Sequence, residues 1–161
     1  MDESRYVDAR QRGRATRNLD SFNLVTSDEH QSAPVMVIDD SPAVRRVVEI
    51  SLYRAGIPAV SFEDGLKAMA ALQEGVVAAP KVLLLDIGLP RMNGYELARL
   101  FRSNPAFQQT RIIMLSAHDG VVDRTRSRLI GAYDFISKPF KAGELVRRIR
   151  HALGIDEWPG E

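Results

Sequence analysis

The chain has 161 residues, of which 45% are hydrophobic and 27% are charged, and its formal net charge is +1. This length suffices for one sizeable core but is short for two independent domains, and the balance of acids and bases indicates neither a nucleic-acid-coating surface nor an acidic tail. The sequence contains no cysteine, which excludes a disulfide framework, a thiolate metal site and a cysteine nucleophile.

Residues 1–33 are polar and keep no sustained hydrophobic period, so we expect them to form a flexible N-terminal extension. The first residues lack the apolar stretch of a secretion signal, and the sequence has no apolar run of transmembrane length. We therefore expect a cytoplasmic protein without membrane contact. A globular domain is predicted over residues 34–153, followed by a short C-terminal tail at 154–161.

Two strand–helix units begin the predicted domain. Residues 35–39 (VMVID) form an almost continuous apolar run, which is typical of a strand buried on both faces in a parallel sheet. Ser41 is the predicted cap of the helix that follows, and Gly56 ends that helix. The second strand is predicted at 57–62, and Asp64 is a plausible cap for its helix.

Three more units complete the pattern, with strands predicted at 81–86 (KVLLLD), 112–115 and 133–137. A helical pattern follows each strand, and the fourth helix is marked by Val122, Leu129 and Ile130. Parallel strands need helical crossovers, and those crossovers are right-handed. The sequence therefore predicts an α/β fold, a single doubly wound (βα)5 domain with a five-stranded parallel sheet.

Chemically distinctive residues follow or end four of these strands. They are Asp39 and Asp40 at the first, Asp86 at the third, Ser116 at the fourth and Lys138 at the fifth. In an open doubly wound sheet the ligand crevice lies outside the carboxyl ends of the strands, where the strand order reverses. These residues, although distant in sequence, are therefore predicted to meet at one site.

Three carboxylates held within a few ångströms repel one another at neutral pH unless they share protons or bind a cation. A bound ion is the simpler solution. A cluster of oxygen ligands without His or Cys suits a hard cation that keeps some of its water, which favours Mg2+ over zinc, copper or fully caged calcium. Lys138 can supply one further positive charge.

Four segments resemble the signatures of bacterial response-regulator receiver domains, in the same order and at similar spacing: MVIDDSPAVRR, LLLDIGLPRMNGYEL, IIMLSAHDG and YDFISKPF. The resemblance covers roughly residues 34–153. It is strongest to small stand-alone regulators of the chemotaxis and twitching-motility kind, which carry no DNA-binding domain. It implies a flavodoxin-like fold with strand order 2-1-3-4-5.

The resemblance also implies an acceptor and a metal site. Asp86 matches the residue that becomes 4-aspartylphosphate, and Asp39 and Asp40 match the acidic pair beside it. Asp40, Asp86 and the backbone carbonyl of Gly88 are the expected Mg2+ ligands, with Asp39 in the same cluster.

Three further residues match roles around the phosphoryl group. Lys138 is expected to pair with the phosphoryl oxygens through a loop whose Lys138–Pro139 bond is cis in the family. Ser116 is expected to bond one of those oxygens, and Phe135 stands at the switch-aromatic position. The family's commonest residue there is tyrosine, so phenylalanine keeps the packing role but lacks the hydroxyl.

The function implied is phosphorelay signal transduction. A sensor histidine kinase or a phosphotransfer protein would donate the phosphoryl group, and the surface of the fourth helix, fifth strand and fifth helix would contact a downstream protein target. We expect no enzyme activity beyond the chain's own phosphorylation and dephosphorylation. We also expect no DNA contact, because too few residues follow the last helix for a helix-turn-helix.

Ordinary structural roles are the alternatives at single positions. Asp39 could merely cap the first helix, Phe135 could be a core aromatic, and Ser116 or Lys138 could be unremarkable strand-end and loop residues. Two alternative functions also stay open. A phosphorylation-independent interaction module would use the same fold, and an aspartate-nucleophile phosphohydrolase of the haloacid dehalogenase type needs a DxDx[TV] motif, whose second acid is missing after Asp86.

Overall fold

A computed structural model describes residues 33–118 and 120–155 of the chain. The predicted extension, apart from Ala33, and most of the predicted tail lie outside the described residues. Ala33 is buried, and the carbonyl of Pro34 accepts hydrogen bonds from the backbone N–H groups of Lys81 and Val82. Ala33 and Pro34 therefore already pack against the domain.

The described residues alternate strictly between strands and helices. The strands are β1 (Val35–Ile38), β2 (Ala59–Phe62), β3 (Val82–Asp86), β4 (Arg111–Ser116) and β5 (Asp134–Ser137). The helices are α1 (Pro42–Arg54), α2 (Gly65–Gln73), α3 (Gly94–Ser103), α4 (Val121–Leu129) and α5 (Ala142–Leu153), with a short 3-10 turn at Pro105–Phe107. The predicted elements are all present, with ends that differ by one or two residues.

All five strands are parallel and lie in the order β2-β1-β3-β4-β5. The order reverses between β1 and β3, which is the point where a doubly wound sheet binds its ligand. In the register of the sheet, Asp86 is paired with Leu115, and Ser116 is paired with Ser137. The predicted fold class and strand order are confirmed.

Helices cover both faces of the sheet. One apolar cluster joins the sheet to α1 and α5, including Val48 and Leu52 of α1 and Leu145 and Ile149 of α5. The other joins it to α2 and α3, including Ala68 of α2 and Phe101 of α3. Since both faces are covered, the strands are apolar on both sides, as the run VMVID predicted.

Local signals set the helix ends where they were predicted. The Ser41 hydroxyl accepts a hydrogen bond from the N–H of Val44 at 3.3 Å, and the Asp64 carboxylate accepts one from the N–H of Lys67 at 2.8 Å. Gly56, just after α1, has a φ of 71°, a conformation that glycine adopts without strain. The two predicted caps are confirmed.

The fourth helix differs from the others in what it buries. Val122 and Leu129, the apolar residues that marked it in the sequence, are 69% and 81% exposed. Ser127 is its one buried residue, and Ile130, just after its end, packs on the core. No helix of the described part of the chain is long and apolar enough to cross a membrane.

Candidate functional site

The acidic cluster forms because β1 and β3 are neighbours and both end at the same edge of the sheet. Asp39 and Asp40 follow β1, and Asp86 is the last residue of β3. One carboxylate oxygen from each of the three lies within 4.8 Å of the others. Asp39 and Asp86 are buried, while Asp40 is exposed at the mouth of the cluster.

Lys138 reaches this cluster from the loop after β5. Its Nζ lies 2.7 Å from Oδ2 of Asp39 and 3.3 Å from Oδ1 of Asp86. Its backbone N–H donates to the carbonyl of Ser116 at 2.6 Å, and the Lys138–Pro139 bond is cis. Burial alone would lower the pKa of Lys138, but the hydrogen bond and charge of Asp39 and the charge of Asp86 together raise it.

Asp39 is held on both of its carboxylate oxygens. Oδ1 accepts from the backbone N–H of Ser41 at 2.9 Å, and Oδ2 accepts from Lys138. The cap of α1 is Ser41, so the interpretation of Asp39 as a simple helix cap is wrong. Arg45 donates to the backbone carbonyl of Asp39 at 2.7 Å, which further fixes the chain at this point.

Burial raises the pKa of Asp86, and the neighbouring charge of Asp39 raises it further. The charge of Lys138 and a hydrogen bond from the backbone N–H of Gly88, at 3.1 Å from Oδ1, act in the opposite direction. The carboxyl group is therefore in an environment where extra positive charge would stabilise its ionised form. Gly88 itself is exposed in the loop after β3.

The residues present fit a small divalent cation. Three carboxylates face one ammonium group, so the pocket has an excess of negative charge, and all of its side-chain donors are oxygens. Hard cations such as Mg2+ prefer this donor set. Both oxygens of Asp39 already have hydrogen-bond partners, whereas the carboxylate of Asp40 makes no hydrogen bond or ion pair within residues 33–118 and 120–155.

Ser116 lies at the same edge, but its hydroxyl is turned toward the loop before α4. The hydroxyl lies 2.9 Å from the backbone carbonyl of His118, to which it can donate, and it accepts from the N–H of His118 at 3.0 Å. Oδ2 of Asp123 is 3.3 Å away. Within the described residues, the Ser116 hydroxyl makes no hydrogen bond to Asp86 or Lys138.

Phe135 is 8% exposed and belongs to the apolar cluster that includes Met114, its partner in the register of the sheet. The guanidinium group of Arg124 lies 4.9 Å from the centroid of its ring. Phe135 therefore packs as a core residue with one basic neighbour on α4. Its role as a switch stays a prediction.

Tyr95 and Asp123, which no sequence pattern connects with the site, reach it through Ser116. The phenol of Tyr95 donates to Oδ1 of Asp123 at 2.7 Å. A contact between residues 28 positions apart has no short-range signal in a single sequence. A sequence feature that points to Asp123 is its place as an acidic residue in the first turn of α4, where the helix dipole favours a carboxylate.

Residues 35–150 match the response regulator receiver domain family. Protein PilG of Pseudomonas aeruginosa is 37% identical over 116 residues, which are 72% of this chain and 84% of PilG. The transcriptional regulatory protein TrcR of Mycobacterium tuberculosis is 36% identical over 119 residues, which are 74% of this chain but 44% of TrcR. This chain thus spans less than half of TrcR.

Among solved structures, the chemotaxis protein CheY4 of Vibrio cholerae superposes with a TM-score of 0.67 at 27% identity. The match covers 73% of this chain and 96% of that protein. The strand order of the sheet, the acidic cluster at its edge and these similarities all point to the same family. The chain belongs to the response regulator receiver domain family, whose members act in two-component phosphorelay signalling.

Proposed function

We propose that Asp86 accepts a phosphoryl group from a histidine kinase or a phosphotransfer protein, in a reaction that depends on Mg2+. The arrangement that carries this proposal is a buried carboxylate with a lysine ammonium 3.3 Å from Oδ1 and two more carboxylates beside it. A buried aspartate with a purely structural role would not need a lysine ammonium and two further carboxylates beside it. The cytoplasmic location expected from the sequence stays a prediction.

The transfer is an in-line displacement at phosphorus. A carboxylate oxygen of Asp86 forms the new O–P bond while the P–N bond to the donor histidine breaks, and the electron pair leaves with the imidazole. The ammonium of Lys138 neutralises negative charge on the phosphoryl oxygens. Asp40, Asp86 and the carbonyl of Gly88, with Asp39 beside them, would hold Mg2+, which supplies additional positive charge for the same oxygens.

Phosphorylation would change the hydrogen bonding of Ser116. The phosphoryl group brings strong acceptor oxygens, and the Ser116 hydroxyl would leave the His118 loop to donate to one of them. The loop and the start of α4 would then repack, with Phe135 filling any space that Ser116 vacates. In this proposal the surface formed by α4, β5 and α5 carries the signal to a downstream protein as a population shift.

Intact mass spectrometry after incubation with acetyl phosphate and Mg2+ tests this function. We expect the wild-type chain to gain the mass of one phosphoryl group and Asp86→Asn to gain none. Asp134→Asn is the matched control, because Asp134 is the first residue of β5 and so lies at the opposite edge of the sheet from the acidic cluster. It should be modified like the wild type.

Equal modification of the wild type and Asp86→Asn would show that another residue is the acceptor. If neither wild type nor variant is modified, the phosphorylation-independent interaction module becomes the better account. Omitting Mg2+ from the wild-type reaction tests the metal, and undiminished modification without it would contradict the metal dependence.

A further inference from the structure

A series of polar contacts connects α3, through α4, with the end of β4. The Tyr95 phenol of α3 donates to Oδ1 of Asp123 at 2.7 Å, and Oδ2 of the same carboxylate lies 3.3 Å from Oγ of Ser116. Ser116 is the residue whose hydroxyl the proposed function needs at the phosphoryl group. One carboxylate therefore joins this hydroxyl to a different helix.

The Tyr95 end of this series of contacts is buried and well packed. The ring is 4% exposed and lies in the apolar cluster of α2 and α3, and the guanidinium group of Arg126 covers it at 4.1 Å from the centroid. Burial, together with the hydrogen bond to Asp123, raises the pKa of Tyr95 to about 12. At neutral pH the phenol is therefore a fixed, protonated donor.

The Asp123 end belongs to α4, a helix that buries little of its own surface. Gly120, the residue before α4, provides no side-chain cap, and Ser127 is the one residue that α4 buries. The Ser127 hydroxyl in turn donates to the backbone carbonyl of Asp123 at 2.7 Å. The position of the first turn of α4 thus depends strongly on what Asp123 contacts.

A serine hydroxyl has one proton to donate. Among the described residues, the acceptors within reach are the carbonyl of His118 and the carboxylate of Asp123. A phosphoryl oxygen on Asp86 would have to compete with both for the same proton. The carbonyl is part of the backbone, whereas the carboxylate is supplied by a side chain and can be removed by substitution.

We propose that Asp123, held in place by Tyr95, is a positioning residue that keeps the Ser116 hydroxyl on the α4 side and so opposes the phosphorylated arrangement. This inference rests on the proposed function, because it concerns the hydroxyl that would bind the phosphoryl group. It assigns Asp123 and Tyr95 to the balance between the two states and not to the transfer step itself.

The test measures binding of beryllofluoride, a phosphoryl analogue, to the Mg2+-loaded full chain by titration calorimetry. Asp123→Ala removes the competing acceptor, and Tyr95→Phe removes the bond that places it. Each should tighten beryllofluoride binding about three- to tenfold, the range expected for the loss of one competing hydrogen bond. Mg2+ affinity should stay unchanged, because neither residue belongs to the acidic cluster.

Two controls separate this role from a merely structural one. Ser127→Ala also loosens the first turn of α4 but leaves the carboxylate beside Ser116, so it should bind beryllofluoride like the wild type. In a Ser116→Ala background the gain from Asp123→Ala or Tyr95→Phe should vanish, because the hydroxyl they compete for is gone.

Unchanged or weaker beryllofluoride binding in both variants, with normal Mg2+ binding, would overturn the inference and leave the proposed function intact. A gain that persists in the Ser116→Ala background would overturn it as well, since it would reflect the altered charge alone. If the wild type binds Mg2+ but no beryllofluoride, the proposed function and this inference fall together.

Discussion

Helices α4 and α5 flank the same edge strand, yet different forces hold them. Helix α5 buries Leu145, Val146, Ile149 and Ala152, whereas α4 buries Ser127 and exposes its larger apolar residues. Apolar packing is lost only at a large cost, while hydrogen bonds can be exchanged for others of similar strength. The comparison favours α4 over α5 as the element that would move if the Ser116 hydroxyl changed partner, as the proposed function requires.

Like α5, the acidic pocket is held in place by buried residues. Asp39 and Asp86 continue strands whose other residues are completely buried, and Lys138 and Ser41 hold Asp39 on both oxygens. The proposed chemistry would thus take place on a firmly held part of the sheet, next to a helix that buries little of its own surface. Locally weak packing of this kind is a common property of segments that move in switching.

The largest expected effect comes from a pair of substitutions, one on each helix, that tests this comparison directly. Ile149→Ala should lower the free energy of unfolding by about 2–5 kcal/mol, because the side chain is fully buried. Leu129→Ala should change it by less than about 0.5 kcal/mol, because that side chain is 81% exposed. Urea unfolding measures both, and a Leu129 effect as large as that of Ile149 would mean that α4 is also packed into the core.

Substitutions at two glycines test how tightly the loop after β3 is held. At Gly94 a Cβ atom would lie 2.3 Å from the carbonyl oxygen of Asp86 and 2.8 Å from Cα of Ile87, whereas at Gly143 it would meet nothing within 4 Å. Gly94→Ala should therefore destabilise the domain by about 1–3 kcal/mol. It should also slow modification of Asp86, because the clash involves the backbone of this proposed acceptor.

Gly143→Ala is the control, and it should raise the free energy of unfolding by about 0.5–1 kcal/mol, since alanine favours a helix over glycine. Thermal or urea unfolding distinguishes the two variants. Equal tolerance at both positions would show that the loop after β3 is not held as the structure indicates.

Alkaline pH should weaken the attachment of α4. The pKa of Tyr95 rises from 10.0 to about 12 in the folded chain, so the unfolded chain loses the phenol proton first. The stability that Tyr95 contributes is fully present below pH 10 and is lost as the pH rises toward 12. The wild type should thus lose more stability over this range than Tyr95→Phe.

Urea unfolding of both chains at several alkaline pH values measures that difference. Ultraviolet titration of the folded protein should also show one of its four tyrosines ionising near pH 12, a signal that Tyr95→Phe lacks. The bond between Tyr95 and Asp123 would be contradicted if both chains lost the same stability as the pH rises and if every tyrosine ionised at its usual pH.

Much of the fold was predictable because its signals are local. The run at 35–39 and the caps Ser41 and Asp64 each depend on a few neighbouring residues, and parallel strands with crossover helices then allow few topologies. The meeting of Asp39 and Asp86 was predictable from the topology, since the carboxyl ends of parallel strands lie at one edge of the sheet and the family resemblance implied that β1 and β3 are neighbours.

The contacts around α4 could not be predicted from the sequence in this way. Val122 and Leu129 indicate a helix, but an apolar residue on a helix surface does not reveal which face is buried, and here both are exposed. The bond between Tyr95 and Asp123 depends on how two helices lie over the sheet. The resting partner of Ser116 follows from that arrangement and from the course of the loop after β4.

The most direct test of the central claim locates the phosphoryl group chemically. Borohydride reduces an acyl phosphate to the corresponding alcohol, so aspartyl phosphate becomes homoserine, which peptide mass spectrometry identifies. After treatment of the wild-type chain with acetyl phosphate and Mg2+, we expect homoserine at position 86 and at no other aspartate. Homoserine at position 39 or 40, or its absence from a chain that has gained a phosphoryl group, would contradict the account.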